Sequence, residues 1–206
     1  MLHESLPFSS VDELPSNYES TDLPPLTLVN SKPLDELGPF IAPYVPCHEY
    51  VIQKALKFSK LCDQDILLDL GCGDARILIA AMEMANHPRK CIGVELDPVL
   101  ARLIRSRHGQ SIQSEKLVLL ETDMFSIHIS DLDATVMILY LLPGGLDKLK
   151  GAFLAWFDAD SAAPTKRIIT ITYSIPGWEP EHAEEVILPN GLNRQWLFFY
   201  TCKSIR

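Results

Sequence analysis

The feature that most constrains this chain is the stretch "ILLDLGCGDARILIAAM", Ile66 to Met82. A short apolar strand runs into a turn containing Gly71 and Gly73. The turn leads into a segment with Ile77, Leu78, Ala81, Met82 and Ala85 on one helical face. Strand, glycine turn and helix in immediate succession open a parallel α/β unit, because parallel strands need a crossover and a helix usually supplies it. The pattern then repeats. "CIGVEL", "KLVLLE", "ATVMILYL" and "RIITITY" read as strands, while "HEYVIQKALKFSKL", "PVLARLIRSRH" and "GGLDKLKGAFLAWF" read as helices. The final "EEVILPNGLNRQWLFFYTC" is two strand-like runs around Pro189-Asn190-Gly191, a hairpin signal. The expected fold is α/β, a doubly wound seven-stranded sheet, mostly parallel, with an antiparallel C-terminal hairpin strand.

A chain of 206 residues has room for one such domain and a tail. Residues 1–38 carry Pro7, Pro15, Pro24, Pro25 and Pro33 among Ser, Asp and Glu without sustained periodicity, which predicts a flexible acidic arm. The domain is expected over residues 39–206. The first 31 residues contain no Lys or Arg, unlike an Arg-rich mitochondrial presequence, so cytosol or nucleus is the expected location. The net charge of −9 disfavours nucleic acid, whose binding needs a basic surface, and suits a basic protein segment as partner. Cys47, Cys62, Cys72, Cys91 and Cys202 are odd in number and lack a C-x-x-C pair, which argues against a disulfide framework or a metal site. The longest apolar run, Ala134 to Leu142, is too short to cross a bilayer, so no membrane insertion is expected.

The glycine turn narrows the ligand. A dinucleotide site wants G-x-G-x-x-G, but counting from Gly71 and Gly73 puts Arg76 at the third position. Asp69 and Asp74 would also set negative charge against a pyrophosphate. A cationic ligand without phosphate suits the turn better, and S-adenosylmethionine is one. The D-x-G-x-G of Asp69 to Gly73 resembles that of the class I, seven-β-strand, S-adenosylmethionine-dependent methyltransferases, whose sheet is Rossmann-like. The resemblance implies that Gly71, Cys72 and Gly73 let the backbone approach the ribose and methionine portions, with Asp69 near the methionine ammonium. It implies Glu95 on the ribose hydroxyls, Leu96 over an adenine face, and Asp123 with the Met124 N–H at the adenine edge.

Three longer pieces are similar to the small protein-lysine methyltransferases, which include an archaeal broad-specificity enzyme and mitochondrial enzymes acting on the ATP synthase c subunit and the adenine nucleotide translocase. They are "PYVPC" (Pro43 to Cys47), "DLGCGDAR" (Asp69 to Arg76) and "YSIPGWEP" (Tyr173 to Pro180). This resemblance spans about residues 39 to 203. It implies Pro46, Cys47 and Tyr140 at the cofactor, and an aromatic channel of Tyr140, Tyr173 and Trp178 as the catalytic set, receiving a lysine-bearing protein. Cys47 stands where the family has Thr or Ser, and Ala75 where it has a third glycine. Arg76 is expected to pair with a nearby carboxylate, His48 to lie at the surface, and Trp196 to sit in the hairpin core. Methylation of a small molecule or RNA, and a catalytically silent cofactor-binding partner subunit, stay open as alternatives.

Overall fold

The structure, a computed structural model, describes residues 44–159 and 166–204. The expected arm and the expected domain start at residue 39 lie outside these residues. In chain order the elements are α1 (Glu49–Phe58), β1 (Ile66–Leu70), α2 (Arg76–Met82), β2 (Lys90–Glu95), α3 (Pro98–Gln113), β3 (Leu117–Glu121), β4 (Val136–Leu139), α4 (Pro143–Asp158), β5 (Arg167–Ile171), β6 (His182–Ile187) and β7 (Arg194–Tyr200).

The seven strands form one sheet in the order β3-β2-β1-β4-β5-β7-β6. The first five pair in parallel, and β7 inserts antiparallel between β5 and β6. The strand order reverses between β1 and β4, which places the ligand crevice of such a sheet beyond their carboxyl ends. Burial on both faces explains why the central strands are almost uniformly apolar. Along β1, Ile66, Leu68 and Leu70 enter the core under α4, while Leu67 enters the core under α1 and α2. Alternation therefore turns Asp69 toward the α1 and α2 face.

Each helix has a legible cause. His48 caps α1, its Nδ1 accepting from Tyr50 N–H at 3.1 Å, and Val51, Ile52, Ala55 and Leu56 face the core. Asp97 caps α3 ahead of Pro98 at the first helical position, accepting from Val99 N–H at 2.7 Å. Helix α2 ends at Met82 and leaves Ala85 exposed, a correction to the longer apolar face expected; Pro88 follows too closely for the helix to run on. Helix α4 starts at Pro143 and buries Trp156, whose indole donates to Ala134 O at 3.0 Å.

The amino end of the sheet is closed by a buried polar network. The Asp65 carboxylate accepts from Arg167 at 2.6 and 3.3 Å, from Thr135 Oγ1 at 2.8 Å and from Cys62 N–H at 2.9 Å. Arg167 also donates to the Ser59 and Lys60 carbonyls, tying β5 to the end of α1.

Two tryptophans fall elsewhere than expected. Trp178 packs among Phe153, Phe157 and Tyr200, with ring centroids 6.2, 6.3 and 6.3 Å away, on the core under α4. Trp196 is 43% exposed and stacks on Phe198, so it is not hairpin core. On β7 it shares a face with Phe198 but lies nearer the hairpin that joins β7 to β6. No helix among the described residues is long and apolar enough to cross a membrane.

Candidate active site

The turn after β1 is built from three left-handed residues: Gly71 (φ +73°), Gly73 (φ +61°) and Ala75 (φ +66°). At Gly73 a side chain would run into the Tyr44 ring, and at Gly71 it would meet Leu141 at 3.3 Å. Ala75 holds a conformation that favours glycine and is fully buried at the start of α2, so its methyl group is accommodated at a backbone cost of about 1–2 kcal/mol.

Five of the turn's amide groups are already committed within the protein. Gly71 and Cys72 N–H donate to Val94 O, Gly73 N–H to Glu95 Oε2 at 2.8 Å, Ala75 N–H to Cys72 O, and Arg76 N–H to Asp74 Oδ1. This arrangement does not present a row of amides to a phosphate. It fixes a carboxylate instead: Glu95 is held by Gly73 N–H on one oxygen and by Asp97 N–H at 2.8 Å on the other. Each oxygen keeps a lone pair for a further donor, the geometry a vicinal diol needs.

Five acidic residues, Asp69, Asp74, Glu95, Asp97 and Asp123, line one cavity of about 440 Å³. Asp74 is forked to Arg76 at 2.8 and 2.9 Å, as expected of that arginine. Burial works against the Asp74 charge, but the Arg76 guanidinium outweighs it and the carboxyl stays below its ordinary value. Glu95 is raised by burial, with its backbone donors opposing. Asp69 is only 2% exposed and accepts no hydrogen bond from any described residue. Burial, then the charges of Glu95 and Asp74, push its carboxyl well above the ordinary value. An unpaired carboxylate this deep calls for a cation.

The segment before α1 closes one side of this cavity. Tyr44 lies over the glycine turn, its hydroxyl buried without a hydrogen-bond partner, and Arg76 Nη1 donates to Cys47 O at 3.1 Å. Cys47 is 3% exposed; burial pushes its thiol up to about 12, Asp69 adding to the effect, so it stays neutral. His48 lies at the surface and caps α1 in place of the absent hydroxyl.

Of the residues expected at the cofactor, Cys47, Asp69, Gly71, Cys72, Gly73, Glu95, Leu96, Asp123, Met124 and Tyr140 all line this cavity, and Pro46 sits between the lining residues Val45 and Cys47 without lining it. Asp123 Oδ1 accepts from Phe125 N–H at 3.0 Å, which orients the carboxylate after β3. Of the expected channel, Tyr140 and Tyr173 line the cavity and Trp178 does not, because it fills the core behind them. Tyr173 is 39% exposed, at the mouth. Burial raises the Tyr140 phenol, the Cys47 thiol adding and the neighbouring Thr172 and Gln195 side chains opposing. Tyr44 and Thr172 are lining residues that sequence reasoning passes over. Tyr44 stands inside "PYVPC", a usable signal, whereas Thr172 looks like one more residue of an apolar strand. No cluster of His, Cys, Asp or Glu among the described residues has the arrangement of a metal site.

S-adenosylmethionine fits what is present. Its ammonium and sulfonium meet the need of an orphaned Asp69, its ribose diol the clamped Glu95, and glycine stands where a Cβ would fill the cradle.

Comparison with known proteins agrees. The sequence profile of the ANTKMT methyltransferase domain matches residues 69–182. A protein-lysine N-methyltransferase of Saccharolobus islandicus (strain REY15A) is 30% identical over 144 residues, covering 70% of this chain and 84% of that protein. The adenine nucleotide translocase lysine N-methyltransferase of Mus musculus is 24% identical over 132 residues, 64% of this chain but only 52% of the mouse one. Among solved structures, an RNA methyltransferase from Salinibacter ruber in complex with S-adenosyl-L-homocysteine superimposes with a TM-score of 0.61 at 27% identity, over 76% of this chain and 93% of that one. A profile match that starts at the orphaned Asp69 and runs through every later carboxylate of the cavity settles the assignment: the chain belongs to the ANTKMT methyltransferase-domain family, and it is a class I S-adenosylmethionine-dependent methyltransferase.

Proposed function

We propose that the chain transfers methyl groups to the side-chain amine of lysine in a protein. The observation that carries this reading is the likeness to the Saccharolobus enzyme, named for that activity and matched over most of its length. The cavity supports it. Its transfer end opens between Tyr140 and the exposed Tyr173, and "LYLLP" stands after β4 where enzymes that methylate nucleobase amino groups carry Asn-Pro-Pro-Tyr.

In this proposal Asp69 binds the ammonium of the cofactor, Glu95 its ribose hydroxyls, and Asp123 with Met124 the adenine edge. The bound cofactor supplies an electrophilic methyl group on a sulfonium. The chain's own task is alignment and dehydration of the nucleophile. A lysine with a pKa near 10.4 must lose its proton first, which costs about 4–5 kcal/mol at neutral pH. Tyr140, Tyr173, Leu141 and Leu142 surround the approach with apolar surface, which disfavours the ammonium form and releases its proton to solvent. The amine lone pair then forms the N–C bond as the C–S bond breaks, the electron pair staying on sulfur as a thioether. The product leaves as a methylated ammonium, so each transfer releases one proton to solvent.

The test is tritiated S-adenosylmethionine with purified protein and an extract of host cells, resolved on a gel, with Asp69→Ala in the parallel lane. A protein band absent from that lane, whose label is recovered as methyl-lysine after acid hydrolysis, is the expected result. Label in RNA, the substrate class for which the Salinibacter protein is named, overturns the substrate class proposed here and keeps the chemistry.

A further inference from the structure

The β6–β7 hairpin departs from the pattern of the rest of the sheet. One of its faces is ordinary: Val186, Leu197 and Phe199 enter the core under α1 and α2. An antiparallel pair that buries one face commonly carries polar residues on the other. Here Trp196 is directly opposite Glu185, and Arg194 opposite Ile187, so these four side chains share the second face. Trp196 is 43% exposed, Ile187 47%, and Leu192 in the connecting turn 85%. Three large apolar side chains thus stand in solvent within one hairpin, a cluster of the kind that marks an interaction surface.

This cluster adjoins the cavity. Thr172 N–H donates to Trp196 O at 2.7 Å, so the Trp196 backbone sits one strand spacing from the residue that precedes Tyr173 at the mouth. Glu185 and Ile187 lie one strand further out. A lysine amine stands at the end of a four-carbon stem, so an amine that enters the cavity leaves its own backbone and neighbours outside, on the rim. On the β5 side that rim continues into this hairpin. The charge here is one-sided: residues 179–196 hold Glu179, Glu181, Glu184 and Glu185 against Arg194, which engages Glu185 at 3.0 Å.

We propose that this hairpin docks the segment of the protein substrate that flanks the target lysine, an extended basic stretch carrying an apolar side chain. The apolar side chain covers Trp196 and Ile187, and the surplus of glutamate around them draws the basic residues. Tryptophan and arginine are among the residue types that dominate the energy of such surfaces. The hairpin holds substrate without touching the cofactor, so it governs how tightly the substrate binds and leaves the transfer step alone. This inference rests on the lysine reading above.

The experiment uses full-length protein, tritiated S-adenosylmethionine and a titration of host-cell protein extract, with the initial rate read as label in methyl-lysine after acid hydrolysis. S-adenosylhomocysteine affinity is measured in parallel by calorimetry. Trp196→Thr is expected to raise the half-saturating extract concentration about fivefold or more, with maximal rate and product affinity within about twofold of wild type. Trp196→Phe, which keeps an aromatic surface, is expected to stay within about threefold. Ile187→Thr lies on β6 and serves if Trp196→Thr does not fold. Glu179→Lys combined with Glu184→Lys is expected to raise the same concentration about threefold or more, an effect that shrinks with added salt. An unchanged half-saturating concentration in these variants overturns the proposal, as does a loss confined to the maximal rate. So does a wild-type dimer in sedimentation velocity that Trp196→Thr dissociates, because a second copy then covers the face. Trp196 fluorescence that acrylamide cannot quench in the free monomer also overturns it, because the chain then covers the face itself. Wild-type protein that puts no label into lysine overturns the lysine reading and this inference with it. That result is distinct from lysine labelling that the substitutions leave untouched.

Discussion

Asp65 and Asp69 stand at the two ends of β1, both buried, and their surroundings are opposite. Burial would raise the Asp65 carboxyl, but the Arg167, Cys62 and Thr135 hydrogen bonds and the Arg167 charge bring it below the ordinary value. Asp69 has burial and two further negative charges around it, and no donor among the described residues. One carboxylate is completed by the fold; the other is left for something the fold does not contain. Two aspartates four residues apart thus separate a structural role from the binding role proposed for Asp69, with the sheet between them as a common frame.

The sharpest break of this contrast is Asp65→Asn. It removes the counter-charge from a nearly buried guanidinium, and stability should fall by about 3–5 kcal/mol in urea denaturation, with cofactor affinity of the folded protein unchanged. Asp69→Asn should do the reverse. Stability should hold or rise, while S-adenosylmethionine affinity falls about 10- to 100-fold by calorimetry, the worth of a charge-assisted hydrogen bond. A stability loss like that of Asp65→Asn would remove Asp69 from the binding role.

Titration separates the pair by sign. The Asp65 carboxyl is depressed, so its stabilisation is present above the ordinary carboxylate range and is lost as pH falls through its folded value. The Asp69 carboxyl is raised, so its ionisation costs the free protein stability above that raised value, and the cost disappears as pH falls below the ordinary value near 3.8. A bound ammonium lowers the Asp69 value again. Binding should therefore release protons between the ordinary and the raised value, as calorimetry in buffers of different ionisation enthalpy would detect, and less so in Asp69→Asn. Equal proton release in both proteins would assign it elsewhere.

The smallest effect belongs to the turn that follows. Ala75→Gly relieves the left-handed strain but gives up a buried methyl group worth about 0.8 kcal/mol and loosens the unfolded chain. Stability should move by less than about 1 kcal/mol, and cofactor affinity should stay within twofold. A larger loss of affinity would make the methyl group part of the cradle.

The alternation of apolar strands with helices makes the sheet legible in the sequence, and acidic residues at the ends of three successive strands make the acidic lining of the cavity legible too. Each of those residues sits at a strand end, which sequence position reports directly. The other end of the cavity is assembled from the ends of β4 and β5, with Tyr140 to Leu142 meeting Thr172 and Tyr173, and no local spacing reveals that these two stretches meet. The tryptophans escape the sequence for a related reason. Trp178 is buried because Phe153 and Phe157 of α4 and Tyr200 pack around it, and residue type carries no such information.

The outermost strand has a consequence for the protein's behaviour at high concentration. Among the described residues β6 pairs with β7 alone, so one of its edges offers backbone groups to an extended chain. That edge carries Glu184 and Glu185 side by side, with Arg194 engaging Glu185 at 3.0 Å. A second molecule docking antiparallel along β6 would set acid against acid, so like charge opposes growth of the sheet at this edge. Neutralising Glu184 would remove the charge on that edge that no arginine engages, and with it the barrier to self-association.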